Sequence, residues 1–192
     1  MAEAVGEVIK VSGPLVVARN LEGVNMYELV RVGAPRLYGE VIEIRGQQVS
    51  IQVYEETEGI KPGEPVVRMK MPLSVELGPG LVGSIYDGVQ RPLDQLRLKF
   101  GDFVIRGAEY PALDREKRWR FQPALTPGSE VAEGDILGVV QETIPVQHKI
   151  MVPPGLSGKL LSIEEREARV EEPIAVMQKA DGSRVELSML QR

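Results

Sequence analysis

The stretch VGEVIKVSGPLVV at residues 5–17 decides the fold class, because two runs rich in valine and isoleucine flank one tight turn. β-Branched residues favour strands. The turn is Ser12-Gly13-Pro14, and glycine and proline supply the backbone angles that turns require. The stretch therefore predicts two strands joined by a short connection.

Residues 39–54 repeat this plan, with an apolar-rich run, a turn, and alternating apolar and polar side chains at residues 49–53. Alternation of period two is typical of a strand with one buried face. Several short strands separated by turns predict a small closed β-barrel over residues 1–72, because closure leaves no sheet edge exposed.

Residues 73–107 read as a connecting segment that contains one clear helix signal, at residues 92–100. Pro92 suits the first helical turn, and Asp94 suits the positive end of the helix dipole. Gly101 provides a C-terminal stop. We expect a short connecting helix here.

Residues 108–192 return to short apolar runs between turns, which predicts a second, flattened, barrel-sandwich-like β module. Asp181-Gly182 is a hairpin signal, with alternating side chains after it. The charged stretch at residues 164–169 fits either a turn or an outward-facing strand. The predicted fold class is mainly β, with an N-terminal barrel, a connecting helix and a second β module.

Composition excludes several kinds of site. The net charge of −5 argues against a nucleic-acid partner. The absence of cysteine excludes disulfides and thiolate metal sites, and His148 is the only histidine, so we expect no zinc site of histidine and cysteine. No apolar run approaches the roughly 20 residues that span a membrane, and the N-terminus lacks a signal-peptide pattern. We expect a cytoplasmic chain.

Two short motifs resemble binding signatures, and both have ordinary explanations. Residues 78–83 match G-x-G-x-x-G, but the following residues do not read as the helix that a dinucleotide site requires, so we interpret them as a glycine-rich connection. Met69-Lys70-Met71 matches a biotin-carrier tripeptide, yet a carrier lysine stands at a hairpin tip and this one precedes Pro72. A stand-alone β-module or biotin/lipoyl-carrier-like protein remains the alternative hypothesis.

The residues alone indicate no catalytic, cofactor or metal site. The phosphate-cradling sequence G-x-x-x-x-G-K-[ST] does not occur. Nothing places a partner beside the carboxylates suited to acid–base chemistry, which are Asp87, Asp94, Asp114, Glu116, Glu164 and Glu165. On this basis the chain is a binding or assembly module.

The densest basic run lies at residues 115–120, where Glu116 interrupts the cations. It is too short to indicate a nucleic-acid site, and an exposed run of this kind suits contact with another protein. The candidate partner-contact residues are Arg115, Lys117, Arg118 and Arg120, and the charged residues 164–169 are a further candidate.

The stretch PLSVELGPGLVGSIYDGVQRPL at residues 72–93 closely resembles the segment that follows the N-terminal barrel in catalytic A subunits of A-type and V-type rotary ATPases. Residues 6–16 resemble the opening strand of that barrel. The resemblance extends over nearly the whole chain through residues 26–33, 52–60, 112–119, 149–154 and 170–173.

The resemblance implies a role in assembly. In that family the barrel joins a ring of alternating A and B subunits, and the second module, a bulge-like insertion, contacts the peripheral stator stalk. The complete subunit binds Mg-ATP and couples ATP synthesis or hydrolysis to proton or sodium transport. It reaches the membrane only through the assembled complex. The chain ends about where the nucleotide domain is expected, so we expect a part of a larger protein with no cofactor of its own.

Overall fold

The computed structural model describes residues 5–102 and 105–191. The chain forms two compact units, one from residues 1–74 and 96–109 and the other from residues 75–95 and 110–192. The predicted connecting segment is thus divided between the two units. Residues 1–4, 103–104 and 192 of the predicted domain ranges lie outside the described residues.

Six antiparallel strands of the first unit close into a barrel, as predicted. They are β1 (Val5–Ser12), β2 (Leu15–Arg19), β3 (Glu28–Val32), β4 (Leu37–Arg45), β5 (Gln48–Val53) and β6 (Pro65–Pro72). The order around the barrel is β1-β2-β5-β4-β3-β6, and pairing of β6 with β1 completes the ring.

Alternating side chains of the strands fill the barrel interior. In β5, for example, Val49, Ile51 and Val53 are buried, whereas the polar residues between them lie partly or fully at the surface. Each fully buried side chain of this size contributes about 1.5–3 kcal/mol relative to an exposed one. The interior consists of Val8, Val16, Ala18, Leu21, Val30, Val32, Leu37, Val41, Val49, Ile51, Val53, Ile60 and Val66.

Two-residue turns set the register of two barrel hairpins. β1 and β2 pair from Ser12 opposite Leu15, and β4 and β5 pair from Arg45 opposite Gln48. The first of these turns contains Gly13 with a φ of 58°. Glycine adopts this left-handed conformation without steric cost. The strand–turn–strand prediction for residues 5–17 is therefore confirmed.

A buried ion pair joins two strands of the barrel wall. Glu28 at the start of β3 accepts hydrogen bonds from Nε and Nη2 of Arg68 in β6, both at 2.8 Å. The Glu28 carboxylate also accepts the backbone N–H groups of Asn25 and Lys70, each at 3.1 Å. Burial alone raises the pKa of Glu28, but these hydrogen bonds and the charge of Arg68 outweigh burial and lower it below its ordinary value.

The second unit contains two four-stranded antiparallel sheets. The first sheet contains β7 (Trp119–Pro123), β9 (Ile136–Gln141), β10 (Gln147–Met151) and β12 (Arg166–Ala168), in the order β10-β9-β7-β12. The second sheet contains β8 (Glu130–Val131), β11 (Gly158–Ile163), β13 (Ala175–Gln178) and β14 (Arg184–Leu187), in the order β14-β13-β11-β8. The predicted second β module is confirmed, and β12 shows that residues 164–169 include a short strand.

Large apolar side chains from both sheets form one continuous core in this unit. Phe121, Leu137, Ile150, Leu160 and Met177 are its largest fully buried members from strands. Gly138 in β9 lies against β7, and a methyl group there would come within 2.5 Å of the Phe121 ring. The close approach of β9 to β7 thus depends on glycine.

The predicted helix is present as α1 (Leu93–Phe100) and begins one residue after Pro92. Leu96 is buried and Leu98 is exposed, so the helix has one apolar face. Over residues 5–102 and 105–191, no helix is both long and apolar enough to cross a membrane.

Candidate interaction surfaces

The basic run at residues 115–120, which was predicted to contact a partner, leads into β7. The Asp114 carboxylate accepts the backbone N–H groups of Glu116 and Lys117 at 2.8 and 3.1 Å, which turns the chain before the strand begins. Trp119 is buried, and Arg120, the next residue of β7, is exposed. Strand alternation therefore separates the aromatic residues of this segment from its cations.

Arg115 differs from the other arginines of the run because its side chain is largely enclosed. Its guanidinium lies 2.6 Å from the Glu76 carboxylate and 2.9 Å from the Glu171 carboxylate. Only 19% of the side chain is exposed, and Glu76 is buried. Arg115 thus links residues far apart in the sequence and offers little surface to a partner.

Lys117 lies over the Trp119 ring, with its Nζ 3.8 Å from the ring centre. A cation at this distance is attracted by the electron-rich face of the indole. The contact holds the ammonium group of an exposed lysine against the ring of Trp119 at the start of β7.

Exposed charges of both signs follow β7 and β12, and we call them the charged strip. Arg120 pairs with Glu165 at 2.6 Å, and Arg118 pairs with Glu172 at 3.5 Å. The strip consists of Glu116, Arg118, Arg120, Glu165, Arg166, Arg169 and Glu172. The two charged runs that the sequence marked as separate candidates therefore lie side by side, through pairing of β12 with β7.

The charged strip contains paired cations and carboxylates and is not a basic patch. Exposed pairs of this kind stabilise a fold by about 0–1 kcal/mol each, so stability does not account for their number. Charges of both signs on one sheet suit a protein partner with a complementary pattern, because such patterns determine register and specificity.

An apolar groove of about 400 Å³ follows β10. Leu81, Val82 and Met189 contribute apolar walls, and Glu142 and His148 are two of its polar residues. We call this feature the β10 groove. Its remaining lining residues are Leu77, Val146, Gln147, Lys149, Ile150, Met151 and Gln191.

Glu142 is the most enclosed charged group of the groove, with 1% of its side chain exposed. One carboxylate oxygen accepts the backbone N–H groups of Gly80 and Val82 at 2.7 and 2.9 Å. The other lies 3.1 Å from Nδ1 of His148. Burial alone raises the pKa of Glu142, but the hydrogen bonds from the two amides and from His148 lower it overall.

Sequence reasoning missed Glu142 because its partners are distant along the chain. Gly80 and Val82 precede it by about 60 residues. The available signals were the glycine-rich residues 78–83 and the single histidine, and nothing in their spacing connected them. The tertiary fold brings them together.

The motifs that resembled binding signatures occupy structures unsuited to those functions. Residues 78–83 form turns, and no helix begins before Leu93, which confirms the interpretation as a connection. Lys70 lies within β6 and does not occupy a hairpin tip. Within the described part of the chain, no group of three or more histidine, aspartate or glutamate side chains could hold a metal ion.

Comparison with known families matches both units. Residues 8–70 match the family described as ATP synthase alpha/beta family, beta-barrel domain. Residues 110–192 match the ATPsynthase alpha/beta subunit barrel-sandwich domain. The matched segments contain, respectively, most of the barrel strands and all strands of the second unit.

Curated relatives resemble almost the whole chain. The V-type ATP synthase alpha chain of Thermoanaerobacter sp. (strain X514) is 54% identical over 187 residues, 97% of this chain and 32% of the relative. The A subunit of the A-type ATP synthase of Desulfurococcus sp. (strain SY) is 55% identical over 96% of this chain and 32% of the relative. The corresponding protein of Pyrococcus abyssi is 53% identical over 98% of this chain and 19% of the relative. The chain thus spans a third or less of the length of these relatives.

Proposed function

We propose that the function of this chain is assembly of a rotary ATP synthase. The premise is that the chain belongs to the ATP synthase alpha/beta family and comprises the barrel and barrel-sandwich domains of an A-type or V-type alpha chain. The observation that carries the proposal is the 54% identity over 97% of the chain, which includes both domains. In the complete subunit, Mg-ATP is the ligand and ion transport is the coupled process.

The barrel supports a role in joining subunits into a ring. Its strands close on themselves, so the sheet offers no free edge to a neighbouring chain. Contacts with a neighbouring subunit must therefore be made by side chains and connecting loops. Apolar side chains available on the outer surface include Leu15, Ile42, Ile44 and Tyr54. We infer that the neighbouring subunits are B subunits of an alternating ring.

The barrel-sandwich domain supports a role in contact with the peripheral stalk. The charged strip, with Lys117 beside it, presents cations and carboxylates at fixed spacing on one sheet. Among the predicted contact residues, Lys117, Arg118 and Arg120 are exposed, whereas Arg115 serves an internal ion pair. We therefore assign the stalk contact to the first three. Attachment to the membrane follows through the assembled complex.

Charge reversal tests the stalk contact. The double variant Arg118→Glu, Arg120→Glu should weaken binding of purified peripheral-stalk subunits by about tenfold or more, because two attractive charges become repulsive at the interface. Binding is measured by surface plasmon resonance at low and high salt. The matched control is Arg184→Glu, an exposed arginine in β14, which should bind as the unchanged chain does.

A charge swap separates partner contact from internal pairing. Arg120→Glu combined with Glu165→Arg restores the 2.6 Å ion pair in reverse. If the stalk recognises the cation at position 120, the swapped protein folds normally and still binds weakly. Full binding by both the swap and the double reversal would contradict the assignment. Failure of the unchanged chain to bind either stalk or B subunits would contradict the proposed function itself.

A further inference from the structure

The glycine-rich loop at residues 78–83 has the geometry of an anion-binding loop. The N–H groups of Gly80 and Val82 converge on a single oxygen atom, at 2.7 and 2.9 Å. Gly80 has a φ of 111°, a conformation that residues with a side chain rarely adopt. Successive backbone N–H groups that point to one side form a concave site for an anion.

The anion in this site belongs to the chain itself. The Glu142 carboxylate follows β9, and no lysine or arginine is among the groups bonded to it in the described residues. Two backbone dipoles and the His148 ring balance its negative charge. Because an ionised carboxylate only accepts hydrogen bonds, Nδ1 of His148 carries the proton in this contact.

Because the Glu142 side chain is buried, its hydrogen bonds to the loop amides stabilise the loop. A buried carboxylate without hydrogen bonds is strongly unfavourable, so Glu142 and the loop amides depend on each other. Residues 78–83 lie outside the strands. The bridge between Leu77 and Gln191 and the buried Gly78 and Pro79 hold the start of the segment, and Leu81 packs against the core.

We propose that residues 78–83 form an anion-binding loop whose ligand is the carboxylate of Glu142, and that this contact holds one wall of the β10 groove in place. Glu142 is thus a positioning residue. Leu81 and Val82 belong both to the loop and to the groove wall; Leu81 also packs against the core, so release of the carboxylate loosens the wall chiefly at Gly80 and Val82. The site takes small carboxylates when the internal ligand is removed. The inference does not depend on the proposed role in ATP synthase assembly.

Removal and replacement of the ligand tests the proposal. Glu142→Ala leaves the loop amides without their acceptor, and amide hydrogen exchange at Gly80 and Val82 should become roughly 10- to 100-fold faster, as expected for loss of a hydrogen bond to a charged group. Added acetate should restore protection in a saturable manner, and chloride at equal ionic strength should not. The matched control is Glu164→Ala, an exposed glutamate in the same unit, whose loop exchange should remain unchanged with or without acetate.

The unchanged protein provides a second measurement that does not depend on a variant's folding. Nuclear magnetic resonance detects scalar couplings across hydrogen bonds, and we expect them from the Gly80 and Val82 amide nitrogens to the Glu142 carboxyl carbon. Absence of both couplings would overturn the proposal. Unchanged exchange in Glu142→Ala, or restoration by chloride as well as acetate, would also contradict it.

Discussion

At the scale of single residues, the Glu28–Arg68 pair has the clearest energetic consequence. Both side chains are largely buried, and their two hydrogen bonds are each 2.8 Å long. Glu28→Gln should lower the free energy of unfolding by about 3–5 kcal/mol, because it leaves the Arg68 charge buried without its partner. Urea denaturation measures this change. The control is Glu7→Gln, whose pair with Arg19 is exposed and should contribute only about 0–1 kcal/mol.

The same pair predicts a dependence of stability on pH. The folded state lowers the pKa of Glu28, so its stabilising effect is complete above the unfolded-state pKa of about 4.3 and is lost as the pH falls through the lower folded-state pKa. The difference in unfolding free energy between the unchanged protein and Glu28→Gln should therefore be constant near neutral pH and shrink in acid. A difference that grew in acid would show that Glu28 is not stabilised as a carboxylate.

At the scale of elements, Gly138 permits the close packing of β9 on β7. A methyl group there would overlap the carbonyl oxygen of Gln122 and lie 2.5 Å from the Phe121 ring. Gly138→Ala should destabilise the second unit by about 1–3 kcal/mol, the usual effect of overpacking.

Thermal unfolding followed by the fluorescence of Trp119, the only tryptophan, measures this effect, because Trp119 lies in β7 itself. The control is Gly88→Ala, where an added methyl group meets nothing within 4 Å. It should change stability by no more than about 0.5 kcal/mol. Equal destabilisation by both substitutions would indicate a general effect of glycine removal and would contradict the packing argument.

At the scale of the whole molecule, the sequence predicts no nucleotide binding by this chain. The 192 residues contain no G-x-x-x-x-G-K-[ST] sequence. We expect isothermal titration calorimetry with Mg-ATP to show no saturable heat, whereas a full-length alpha chain of the same family should bind. Stoichiometric binding by this chain would contradict this prediction and would reveal a nucleotide site that does not use the G-x-x-x-x-G-K-[ST] sequence.

Local sequence predicted much of the fold because strands and turns depend on near neighbours. The alternation at residues 49–53 predicted β5, and Ser12-Gly13-Pro14 predicted the first hairpin. Pro92 and Gly101 predicted the position of α1 to within one residue. Residues 164–169 were ambiguous, because Ala168 is their only apolar residue and one apolar side chain gives no alternating pattern, although it packs in the core.

The sequence by itself determined the mainly β class, the closed barrel, the helix and, through its resemblance at residues 72–93, the family. Only the tertiary structure decided which charged groups meet. It buried Arg115 against Glu76, aligned Arg120 with Glu165, and placed Glu142 on the glycine-rich loop. The physical reason is distance along the chain. Backbone preferences act over a few residues, whereas these charges lie 39, 45 and 62 residues from their partners and meet them only when the sheets have packed.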